Sequence, residues 1–133
     1  MLREAQALHA AGNVEGAITT AQQALEGDRS NVDALVYLGT TLVTRRLAFE
    51  DGLALLDRAY EVAPDHPGVN YSLGWCYEFV AYRLEKDARR PYRDPVELYE
   101  LAATHLQRCI DLNPEQGLKD DARDLLDSIL NRL

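Results

Sequence analysis

The side chains with which this chain could do chemistry are few. They are two carboxylates, Glu78 and Glu85, three histidines, His9, His66 and His105, and two cysteines, Cys76 and Cys109. Paired acids serve general acid–base catalysis when their environments push their pKa values apart. Glu78 and Glu85 stand seven residues apart on one helical stretch, and a carboxylate pair by itself reads as a solvated face. The histidines fall in unrelated places, with no His-Glu-x-x-His and no Cys-x-x-Cys spacing for a metal. The eight glycines are scattered as turn and packing residues and form no phosphate-cradling loop. The chain therefore reads as non-enzymatic, with no catalytic residue, no metal ligand and no cofactor expected.

A second grouping is electrostatic. Arg83, Lys86, Arg89, Arg90 and Arg93 outweigh Glu85, Asp87 and Asp94, giving a local positive excess in a chain of net charge −8. Such a patch suits an acidic partner or a second copy of the chain. It equally suits a solvated helix end, where late basic residues complement the macrodipole. The overall acidity speaks against a nucleic-acid partner, which needs a basic face, and it favours solubility.

A length of 133 residues is that of one domain able to bury a core. Its 47% hydrophobic and 27% charged residues are ordinary for a globular chain. No apolar run approaches the ~18 residues that span a bilayer. The first thirty residues hold no uninterrupted apolar stretch of the secretory kind. Both cysteines lie inside apolar helical patterns, where a thiol behaves as a small hydrophobe. The expectation is a cytoplasmic protein with reduced thiols and no membrane partner.

The elements that would position these groups are helices. Apolar residues at helical spacing predict helices over 1–11, 14–26, 32–45 and 50–62, with Gly12-Asn13 and the run from Gly27 to Asn31 as breaks. A fifth helix opens after Asp65-His66 with Pro67 in its first turn, and its apolar spacing runs through Leu84. Asp94-Pro95-Val96-Glu97 starts a sixth by a capping-box pattern. A seventh, over 117–132, carries Leu118, Ala122, Leu125, Leu126, Ile129 and Leu133 on one stripe. Gly39 and Gly74 lie in helix interiors, where glycine costs about 1 kcal/mol relative to alanine. Close approach of a facing helix is the natural reason to keep them.

The two glycines also belong to a repeat. Leu38-Gly39 recurs as Leu73-Gly74 at a spacing of about 35 residues, and self-similarity at a fixed period of roughly 20–50 residues marks a repeat architecture. The first pair is followed by Leu56, Ala59 and Pro64, the second by Leu106, Cys109 and Pro114, with the same final spacings. This resembles the tetratricopeptide repeat (TPR), whose pattern has the form W-x2-L-G-x2-Y…A-x3-F…P. The likeness is close in the second unit, weaker at Glu4-Ala5 in the first, and interrupted in the third. There Gly74 to Pro114 spans 40 residues, against 25 from Gly39 to Pro64.

The resemblance implies an all-α, right-handed α-solenoid of three helical hairpins, over about 1–31, 32–66 and 67–116, as a single domain. An inserted extended hairpin would lie at about 81–97 and a capping helix at 117–132. It implies a non-catalytic scaffold that binds a peptide or partner helix in a concave groove. By alignment the groove residues would be Val36, Thr40, Val43 and Thr44, then Tyr71, Trp75, Glu78, Phe79 and Tyr82. Trp75 is displaced from the family's tryptophan position, which Asn70 occupies. The family members that clamp a carboxylate tail use Lys, Arg and Asn where this chain has Gln6, Val36, Thr40, Tyr71 and Trp75, so a chaperone tail is not expected. The alternative is structural self-association, in which the exposed apolar faces make a homodimer. A second possibility for Trp75 and Phe79 is that the carboxy-terminal helix or the long hairpin covers them.

Overall fold

The computed structural model describes residues 2–87 and 92–133. Among them seven helices and no strand are found: α1 (Leu2–Ala10), α2 (Val14–Gly27), α3 (Val32–Thr44), α4 (Phe49–Val62), α5 (Pro67–Lys86), α6 (Pro95–Asp111) and α7 (Gln116–Leu130). They fall into two compact units, Met1–Val62 and Ala63–Leu133. Side-chain acceptors set most starts, because a helix leaves its first N–H groups without partners. Asn13 accepts from Gly16 N at 2.9 Å, Asn31 from Ala34 N at 3.1 Å, and Asp94 from Val96 N at 3.0 Å. The fifth helix runs to Lys86, so the apolar spacing through Leu84 was a true helical signal. Leu133 is the exception on the predicted α7 stripe. It lies beyond the helix end and is 55% exposed.

In the first unit Ala5, Ala17, Ile18, Ala21 and Leu38 form one buried cluster, with Leu8, Val14, Leu25, Tyr37 and Leu55 packed around it. Small residues on α1 and α2 let these helices close, since interaxial distance follows side-chain size. The pair α3 and α4 is closer still. A Cβ on Gly39 would stand 2.7 Å from Leu56 Cγ and 2.9 Å from the Gly52 carbonyl oxygen. A Cβ on Gly52 would stand 2.7 Å from the Gly39 carbonyl oxygen and 2.6 Å from Val43 Cγ2. As positions rise along α3 their partners fall along α4, so the two helices run antiparallel. Their connection turns at Leu47, whose φ of 55° lies in the left-handed region, with Ala48 N bonded to Leu42 O at 2.9 Å. Val43 is therefore not a groove residue. It is fully buried, filling the space that Gly52 leaves, whereas Thr40 one turn earlier is only half-buried.

The second unit repeats the device. A Cβ on Gly74 would meet Leu106 Cγ at 2.5 Å and the Ala102 carbonyl oxygen at 3.2 Å. Here α5 and α6 form the most extensive pairing of the unit, and Leu73, Val80, Leu84, Leu98, Tyr99 and Leu106 are buried along them. α7 packs on both. Tyr71 feels the charge of Asp121, and Tyr82 lies under Arg132, so α7 runs parallel to α5.

The glycine contacts make a sharp expectation. Gly39→Ala should destabilise the protein by about 1–3 kcal/mol, because the added methyl meets backbone and a branched Cγ that cannot swing away. Gly27→Ala, with nothing within 4 Å of its Cβ, should leave stability unchanged or raise it by up to about 1 kcal/mol. Urea unfolding of both variants beside the parent checks the pair. Equal midpoints would mean that α3 and α4 do not approach at Gly39.

Candidate interaction surface

α5 carries the densest set of sequence-predicted site residues, and its start is tightly fixed. His66 Nδ1 accepts from Val69 N at 3.2 Å, and Pro67 enters the first turn. Asn70 is fully buried, where an unsatisfied amide would be costly. Its Nδ2 donates to Pro64 O at 3.0 Å and His66 O at 3.1 Å. Its Oδ1 is left to accept from His105 Nδ1–H at 3.0 Å, which sets the imidazole tautomer. Arg108 Nε donates to the same Pro64 carbonyl at 3.0 Å, and its guanidinium pairs with Asp65. Tyr77 stacks on the His105 ring at 6.0 Å, nearly parallel. Burial, and secondarily Arg108, holds the His105 pKa below its ordinary 6.5.

The opposite face of α5 is aromatic. Tyr71 and Phe79 are half-buried, while Trp75 is 36% and Tyr82 39% exposed. Spaced by about one helical turn, these rings form a stripe. Trp75 and Phe79 lie 5.9 Å apart with planes tilted by 31°. Cations cover the far end: Arg83 sits 5.1 Å over Phe79, Lys86 5.3 Å over Tyr82, and Arg132 5.4 Å over Tyr82. Arg132 also lies 3.8 Å from Glu85 and donates to the Tyr99 hydroxyl at 3.4 Å. Tyr99 donates to Glu85 at 3.2 Å. Burial, then the Glu85 charge, pushes the Tyr99 phenol up to about 12. Glu78 stands half-buried within the stripe, its pKa raised by burial and partly restored by Arg132.

The remaining predicted residues are placed as follows. Val36, Thr40 and Thr44 are half-buried along α3 of the first unit, with Thr44 Oγ1 donating to Thr40 O at 2.8 Å. Arg93 is engaged locally, bonded to Glu97 at 2.7 Å and 5.8 Å over the Tyr77 ring. Arg89 and Arg90 lie outside the described residues. The three histidines have separate tasks: His9 bonds Tyr37 at 2.8 Å, His66 caps α5 and His105 anchors Asn70. Cys76 and Cys109 are buried thiols, and burial raises the Cys109 pKa. Among the described residues, no three His, Cys, Asp or Glu side chains are grouped to hold a metal, and no helix is long and apolar enough to cross a membrane.

Arg132, Tyr99 and Glu85 were missed as neighbours of the stripe. Arg132 follows α7 in sequence, and no local spacing connects it to Tyr82. The Asn70–His105 bond was equally invisible, because a buried asparagine looks like any helix-start polar residue until its partners are placed.

No family model matches the chain, and no curated protein matches it.

Two outcomes are expected. Trp75, the one tryptophan of the chain, should emit as a solvent-accessible indole and be quenched by acrylamide. A blue-shifted emission resistant to quenching would place the ring in a core. The second concerns pH. His105 binds its proton less readily folded than unfolded, so its contribution to stability is full above the unfolded pKa and is lost as pH falls through that value towards the folded one. Unfolding free energy should drop between about pH 7 and pH 5. His105→Gln, which keeps a donor for Asn70, should flatten that part of the profile. An unchanged slope would disprove the assignment.

Proposed function

We propose that this protein is a non-catalytic interaction module of tetratricopeptide-like helical hairpins, and that it holds a peptide or partner helix along the aromatic face of α5. The observation that carries the reading is Trp75, more than a third exposed beside Phe79 and Tyr82 on a helix whose other faces are packed. Trp and Tyr dominate binding hot spots because they bury large area at small entropic cost. The hairpin repeat is supported by the same glycine-centred contact in both units, Gly39 against Leu56 and Gly74 against Leu106. Val36, Thr40 and Thr44 occupy the matching positions on α3. They are smaller and half-buried, and lie in the first unit rather than beside the α5 rings.

The stripe also has a chemical preference. Arg83, Lys86 and Arg132 stand over rings at one end, and Glu78 lies among the rings. A ligand with apolar side chains spaced by helical turns, a hydrogen-bond donor opposite Glu78 and an acidic end beside Lys86 would satisfy both.

The test is peptide selection against the chain, followed by affinity measurement with variants. The double change Tyr71→Ala with Trp75→Ala should cost about 2–4 kcal/mol in binding, a loss of roughly thirty- to a thousandfold, with helicity retained. Sedimentation velocity over a range of concentrations tests self-association. A dimer that dissociates on Trp75→Ala would replace partner binding by homodimerisation.

A further inference from the structure

The first unit contains a cleft that the α5 face does not use. α2 and α4 both lie against α3 but make little contact with each other, and the seam between them opens onto α3. Leu38 and Leu42 of α3 form its floor, with Leu25 of α2 and Leu55 of α4 as walls, around a volume of about 260 Å³. Leu38 is 2% exposed, and the other three leucines are half-buried. The mouth is polar and carries Arg29 and Arg58 against Glu26, leaving an excess of positive charge. Arg58 Nη2 donates to the Arg29 carbonyl at 3.0 Å, which holds that guanidinium at the mouth and leaves most of its N–H donors to spare. Neither arginine is ion-paired among the described residues.

We propose that this cleft binds a small amphipathic carboxylate of the medium-chain fatty-acid class. The alkyl tail lies on the four leucines and the carboxylate on Arg29 and Arg58. Three features select this chemistry. The volume is below the roughly 300–1,000 Å³ of sites for drug-sized ligands, so the tail is short. The guanidinium fork matches a carboxylate in two hydrogen bonds, where an ammonium would act as a point charge. The leucine walls favour each added methylene, which a compact anion such as phosphate would leave unused.

Octanoate, added to the whole chain below its micelle-forming range and followed by amide shifts, tests the site. Octanol and butyrate supply its two halves separately. Saturable octanoate binding is expected, with shifts at Leu25, Leu38, Leu42 and Leu55. Affinity should rise about fourfold per added methylene until the cleft is full. Arg29→Gln removes an exposed side chain that makes no hydrogen bond among the described residues. It should weaken octanoate binding about tenfold or more and leave octanol binding unchanged. Arg58→Gln should act likewise, and if that variant fails to fold, Arg29→Gln decides alone. Octanol binding as tightly as octanoate, unaltered binding by Arg29→Gln, or shifts confined to other residues would each overturn the proposal.

Discussion

Two helix backbones in direct apposition are the contact on which the first unit depends. At Gly39 and Gly52 each helix presents a carbonyl oxygen to the place where the other's Cβ would stand. Removing both side chains lets α3 and α4 approach until Val43 and Leu56 fill what remains. Interior glycine weakens a helix, and the close packing that it permits offsets the loss. α5 and α6 use a one-sided version, in which Leu106 occupies the space over Gly74. Helix pairing at this distance depends on which residues oppose each other, so a shift by one position would drive side chains into backbone.

The second unit adds a polar clasp to that packing. Asn70 joins the loop before α5, the first turn of α5 and the middle of α6 through three hydrogen bonds. Arg108 fastens the same loop from the other side. A buried amide satisfied at every position specifies geometry more strictly than an apolar contact, because losing one partner leaves an unpaired dipole in a dry site. The clasp leaves α5 with its buried faces committed to α6 and α7 and its aromatic face towards solvent.

Charge is distributed unevenly around that face. The chain is strongly acidic, yet Arg83, Lys86 and Arg132 collect over the rings of Phe79, Tyr82 and Tyr99. Their alkyl stems cover apolar surface while their charged groups stay wet. Tyr99 is buried, whereas Phe79 stays half-buried and Tyr82 39% exposed. These two rings are thereby held in place without being removed from solvent, an arrangement that lowers the entropy lost when they are covered.

Much of the fold was legible locally. Helix boundaries could be read from the breaks at Gly12-Asn13 and Gly27 to Asn31 and from the starts at His66-Pro67 and Asp94-Pro95, because capping and turn signals need only residues within one turn. The extension of α5 was visible in Phe79, Val80 and Leu84, whose spacing is a property of a single helix. Gly39 and Gly74 marked close approach because only packing justifies glycine inside a helix. Other features depended on residues distant in the chain. Alignment set Val43 beside Thr40 on an open face, but the docking register of α4 placed Val43 over Gly52 and buried it. The exposure of Trp75 was undecided by spacing. α7 and the residues after it approach Tyr71, Glu78 and Tyr82 along one side of the stripe and leave Trp75 more than a third exposed. Nothing near Arg132 in sequence relates it to Tyr82 or Glu85. The sequence by itself determined where helices begin, end and bring small residues, because those are short-range matters of periodicity and capping. Only the tertiary structure decided which faces are covered, because burial belongs to pairs of helices and is absent from either one alone.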